Sequence, residues 1–195
     1  MTSKELLSRD FSLENNRALL VPLHMSHVED LKDVALEPSL WEITLSAIDN
    51  EQDLQQYIAW ALSERERGLS YPFLIIDKAT GKTAGSTRYT NISHEHKRLE
   101  IGYTWIGTAF QGTGLNKACK FELLRFAFEK LKFNRVEFKT DALNQKSQQA
   151  LLKIGAKQEG TLRTHSITAR GRVRDSVYFS IIASEWQQVK EEIFN

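Results

Sequence analysis

At Gly68 the apolar residues change their spacing. In "EQDLQQYIAWALSERERG" (51–68), Leu54, Tyr57, Ile58, Ala61 and Leu62 recur with the 3.6-residue period of a helix that buries one face. After it, "YPFLIID" (71–77), "TAGSTRYTNI" (83–92) and "RLEIGYTWI" (98–106) follow a period of 2. A segment patterned for one period does not settle into the other. Three consecutive strand-like runs, the first two joined by the short "KATGK" connection, therefore predict adjacent antiparallel strands with the preceding helix packed on them. Plain alternation in the third run predicts Leu99, Ile101, Tyr103 and Trp105 on one face, with Glu100, Gly102, Thr104 and Ile106 on the other.

Around this centre, "RALLVPL" (17–23) reads as a first strand stopped at Pro22. The stretch 26–37 reads as a helix with Ser26 as N-cap, and Asn50 caps the helix that ends at Gly68. A mostly apolar helix follows Gly114, "RVEFKT" (135–140) is a strand, and 144–155 is a short helix ending at Gly155. Residues 159–167 and 172–182 form a final antiparallel pair about Arg170-Gly171, with a terminal helix expected at 184–193. The order β, α, α, β, β, β, α, β, α, β, β with no linker composition predicts one mixed α/β domain over residues 1–195.

Charge and targeting signals exclude several classes. The first 70 residues carry 13 acidic and 6 basic side chains, whereas 117–175 carry 14 basic and 6 acidic. Such asymmetry suits a polyanion against the later half and a cation against the earlier half. The N-terminus has no apolar h-region and no apolar run approaches 18 residues, so neither secretion nor membrane insertion is expected. The single cysteine, Cys119, fits a reducing compartment, and a cytoplasmic location is expected. Nucleic acid is not an expected partner, because the basic residues form no dense stripe with aromatics.

The turn "FQGTGLNK" (110–117) sits between a strand and a helix, where free N–H groups and the helix dipole favour phosphate. It is not a P-loop, since Gly107 to Gly112 is followed by Thr113 rather than lysine. Nor is it the dinucleotide fingerprint, since Lys117 stands where the third glycine belongs.

Taken together, "EIGYTWI", "QGTGLN", "NRVEFKTDALNQKS", "IGAKQEGTLR" and "RDSVYFS", in this order from Glu100 to Tyr178, resemble the GNAT N-acetyltransferases, in their ribosomal-protein alanine N-acetyltransferase-like branch. The resemblance implies a central, mostly antiparallel, splayed sheet flanked by helices, and acetyl-CoA as cosubstrate. It implies that the loop Gln111, Gly112, Thr113, Gly114, Leu115 and Asn116 binds the pyrophosphate, although Asn116 departs from the usual Gly/Ala ending. It further implies that Trp105 and Ile106 meet the pantetheine arm through their main chain, that Asn144 contacts the cofactor, and that Ser147 protonates the departing thiolate. A tyrosine acid common in the family is replaced by Leu151.

Transfer to an amine also needs a proton acceptor, because ammonium has no lone pair. Glu100, a carboxylate within an apolar strand, is the candidate base, since desolvation there strengthens it. Trp41, in the loop after Pro38, is the candidate acceptor wall. Asp175 is expected to pair with neighbouring arginines, His165 to be surface, and Cys119 to be structural. The expected acceptor is a primary amine, either a protein N-terminus or a small molecule such as an amino acid, polyamine or antibiotic. A non-catalytic acyl-CoA-binding module is the alternative. A homodimer is compatible with the sequence without being required by it.

Overall fold

The computed structural model describes residues 1–194. Its elements are α1 (Ser3–Leu7), β1 (Leu13–Glu14), β2 (Ala18–Pro22), α2 (Val28–Ala35), α3 (Glu51–Glu66), β3 (Tyr71–Asp77), β4 (Lys82–Ser93), β5 (Arg98–Ile106), α4 (Leu115–Arg125), β6 (Arg135–Asp141), α5 (Gln145–Lys153), β7 (Lys157–Ile167), β8 (Val173–Ile182) and α6 (Ala183–Val189). The eight strands form one sheet in the order β1-β2-β3-β4-β5-β6-β8-β7. All neighbouring pairs are antiparallel except β5 and β6.

Two apolar cores cover the two faces. The larger holds Tyr71, Phe73, Tyr89, Leu99 and Ile101 against Leu115, Cys119, Leu123 and Leu124 of α4. The smaller gathers Leu31 of α2, Trp41, Tyr57 and Ile58 of α3, Leu74 and Trp105. Tyr89 ties the larger core together, its hydroxyl donating to the Leu123 carbonyl at 2.6 Å.

Most expected elements are present within a residue or two, and Asn50 caps α3 by accepting from the Asp53 N–H at 3.0 Å. Three readings change. Ser26 is not a cap: it lies inside a 3₁₀ turn, Met25–His27, that precedes α2. α1 and β1 were not anticipated, although Thr2 and Glu5 form a reciprocal capping box readable as Thr-x-x-Glu. The third change concerns β5. Tyr103 adopts φ +49° and the β4–β5 register shifts between Ser86/Trp105 and Arg88/Gly102. The extra residue breaks alternation, so Leu99, Ile101 and Ile106 join the larger core while Trp105 joins the smaller.

Candidate active site

β5 and β6 pair only from Arg98/Arg135 to Glu100/Glu137, although β5 continues to Ile106. Beyond Glu100 a slot therefore opens between them. At its far end, Gly107 N–H donates to the Ala84 carbonyl of β4 at 2.9 Å. In an antiparallel ladder this turns the main-chain groups of the preceding residue, Ile106, away from β4 and toward the slot. Trp105, the adjacent pair, has its main chain against Ser86 of β4. The Ile106 carbonyl accepts from Gln111 Nε2 at 2.7 Å. Lys146, in the first turn of α5, donates to Gln111 Oε1. One side chain thus joins the end of β5, the glycine turn and the start of α5.

Gly114 caps α4 at φ +87°, a left-handed conformation that L side chains rarely take. The following N–H groups of Leu115, Asn116 and Lys117 belong to the first turn, where an α-helix offers no internal acceptors. With the helix dipole, they present a positive face at the slot mouth. Asn116 Oδ1 is buried without a hydrogen-bond partner among the described residues, so it remains available to a donor. Asn144 caps α5 by accepting from the Ser147 N–H at 2.9 Å, which leaves its own NH₂ group and the Ser147 hydroxyl for other partners.

At the fork of the slot lies Glu100, 4% exposed. Its Oε2 accepts from Asn91 Nδ2 at 2.8 Å and lies 3.7 Å from Lys139 Nζ. Its Oε1 leans over Gly102, where a Cβ would sit only 2.8 Å away, so a larger residue there would push the carboxylate out of this position. Burial, with the Glu100 charge adding to it, raises the phenols of Tyr103 and Tyr178 above their ordinary range. Both stay protonated. Asn91, Lys139 and Tyr178 come from β4, β6 and β8, which no spacing in the sequence connects to Glu100, and neither they nor Tyr103 were anticipated as part of the site.

A buried carboxylate thus stands at the strand fork, with a glycine turn and a helix start at the far end. The model of the acetyltransferase (GNAT) domain matches residues 17–157. This chain belongs to the GNAT family. It is 34% identical over 110 residues to YdaF of Bacillus subtilis, provisionally named a ribosomal N-acetyltransferase; the match covers 56% of this chain and 59% of that protein. Among solved structures, a T. thermophilus protein provisionally named an acetyltransferase shares 31% identity with TM-score 0.85, covering 94% of this chain and 95% of that one. A Vibrio cholerae protein provisionally named a ribosomal-protein-serine acetyltransferase shares 25% identity with TM-score 0.75, covering 93% and 99%.

Other residues of this GNAT chain lie away from the slot or serve the scaffold. Trp41, expected at an acceptor wall, is 2% exposed. Its Nε1 donates to the Ala35 carbonyl at 2.7 Å and its ring packs 5.4 Å from Trp105, so it fills the smaller core instead. Trp105 is likewise buried, its Nε1 donating to the Tyr57 hydroxyl at 3.2 Å. Burial pushes the Cys119 thiol up to about 12, which makes it an inert packing group. Asp175 does not pair with the neighbouring arginines. It accepts from the Thr164 N–H at 2.7 Å, at a β7 bulge where Thr164 has φ +49°, while Arg172 and Arg174 face Asp141. His165, on exposed β7, has its Nδ1 3.1 Å from Oγ of Ser176 on β8.

No helix among the described residues is long and apolar enough to cross a membrane. No cluster of metal-ligating side chains occurs among them.

Proposed function

We propose that the chain, acting as a single domain over 1–195, moves the acetyl group of acetyl-CoA to a primary amine by direct attack. The amine is a protein N-terminal α-amino group, with a ribosomal protein as the leading acceptor. One observation carries the reading: Glu100 is buried at the point where β5 and β6 part, and the amide-rich start of α4 lies at the other end of the same strand segment. The provisional names of YdaF and the Vibrio cholerae protein support the acceptor.

In this reading the N–H groups of 112–117 and the α4 dipole hold the pyrophosphate, and Ile106 bonds the pantetheine arm as an added strand would. Asn144 adds a contact from α5. Glu100, directly or through one water, removes a proton from the ammonium, leaving a lone pair to attack the thioester carbon. Slot-facing N–H groups at the end of β5 steady the oxyanion. When the tetrahedral oxyanion collapses the C–S bond breaks, the nitrogen gives up its second proton, and the Ser147 hydroxyl relays a proton to the departing sulfur, taking one up as it gives one. A placed base contributes about 10²- to 10⁴-fold to such a reaction.

Release of the CoA thiol, measured with N-terminal peptides and with amino acids, polyamines and aminoglycosides, tests the proposal. Release with peptides supports it. Release only with small amines removes the protein-terminus acceptor, and CoA binding without release to any amine removes the enzymatic reading in favour of a binding module.

A further inference from the structure

Arg88 of β4 is fully buried, at 0% exposure, yet none of its three side-chain nitrogens has a hydrogen-bond partner among the described residues. Its guanidinium carbon lies 4.8 Å from the Tyr57 ring centroid, 4.8 Å from Trp60 and 4.4 Å from Tyr103. Three rings offset part of the cost of burying the charge. They do not satisfy five N–H donors, and a buried arginine is ordinarily matched by an acid.

No carboxylate among the described residues is hydrogen-bonded to Arg88. Glu100 is held by Asn91 and Lys139. Arg88 is paired in the ladder with Gly102, the same residue over which Glu100 Oε1 leans, so the unmatched cation and the candidate base share one stretch of the sheet face. The outer wall of the cage is Trp60, 43% exposed, on α3. Of the three rings it alone is exposed, and so it forms the side of the cage that faces an incoming ligand.

Resting on the acetyltransferase reading above, we infer that Arg88 receives a carboxylate of the acceptor, close to the amine that Glu100 deprotonates. A planar carboxylate matches the guanidinium fork with two parallel hydrogen bonds. The acceptor is therefore an N-terminus with Asp or Glu in its first two positions. The same chemistry is available from the carboxylates of a free acidic amino acid.

Peptides identical except for Glu, Gln or Lys at position 2 are compared in the thiol-release assay, alongside free glutamate and its diamide. The Glu peptide is expected to exceed the Gln peptide in kcat/KM by about 10- to 100-fold, the scale of a charge-assisted hydrogen bond. Arg88→Gln brings that ratio near unity and Arg88→Lys retains part of it. Should Arg88→Gln fail to fold by thermal melt, the wild-type ratio and Arg88→Lys decide. Equal wild-type rates for the Glu and Gln peptides overturn the inference while leaving the acetyltransferase reading intact. Arg88-dependent turnover of free glutamate, with none for peptides, keeps the carboxylate site and removes the protein acceptor. No release with any amine fails both.

Discussion

Gln111 Nε2 and the Ile106 carbonyl oxygen lie 2.7 Å apart, so the glycine turn is tied to the strand it follows. The same side chain accepts from Lys146, which draws the start of α5 to the turn. Gln111→Ala removes both bonds and leaves the slot mouth unbraced. It should cost about 1 kcal/mol in stability, a few degrees in Tm, and weaken CoA binding several-fold. Calorimetric titration with CoA beside a thermal melt measures both, and unchanged affinity would show that the brace serves folding alone.

Glu100→Gln keeps the size and polarity of the side chain but removes the base. Turnover should fall about 10²- to 10⁴-fold, most severely at low pH where free amine is scarce, with CoA binding nearly intact. A pH–rate profile unchanged from wild type would dismiss Glu100 from that role.

At Gly114 the threat to a larger residue is conformational. A Cβ there meets nothing within 4 Å, but φ is +87°. Gly114→Val should cost about 1–2 kcal/mol of backbone strain and, by shifting the first N–H groups of α4, weaken CoA binding at least as much. Full CoA affinity in a folded Gly114→Val would refute the pyrophosphate assignment.

Lys120 of α4 is 5% exposed, and its Nζ donates to Thr104 Oγ1 at 2.8 Å. Burial pushes its amine down from an ordinary 10.5 to about 8. Between those values the unfolded chain holds a proton that the folded chain does not, so Lys120 makes stability rise as pH increases from about 8 to 10.5. Below about pH 8 both states are charged and the cost of burying the charge is present in full, on the order of 3 kcal/mol. Lys120→Met should raise Tm at pH 7 and flatten that alkaline rise; Thr87 and Thr104, 2.7 Å apart, still satisfy each other. Melts at a series of pH values from about 6.5 to 10.5 provide the check.

The strands and helices were legible wherever one face alone is buried, as in α3 and α5, because burial then imprints its period on the sequence. α1 was legible in principle through Thr2 and Glu5, whereas the two residues of β1 are too few to carry a pattern. The turn and Glu100 stood out because glycine and carboxylate are uncommon in such settings. Asn91, Lys139, Tyr178 and Arg88 did not, since their place on the sheet around Glu100 arises from the pairing of β4 and β6 with β5, and of β8 with β6, rather than from any local spacing. Trp41 misled for the converse reason: a large aromatic in a loop has the same appearance whether it lines a cleft or, as here, caps a core.

Tyr103 acts as a parity switch within β5. Up to Gly102 the strand keeps one even–odd assignment of side chains to faces, and from Thr104 onward it keeps the opposite one. Excising this single residue would leave a regular ladder with Trp105 and Ile106 on the faces they now occupy, whereas keeping it and straightening the bulge would exchange them; Glu100 stays where it is in either case. The segment bearing the carboxylate and the segment bordering the slot are thus separable parts of one strand, and each can be redesigned without rewriting the other.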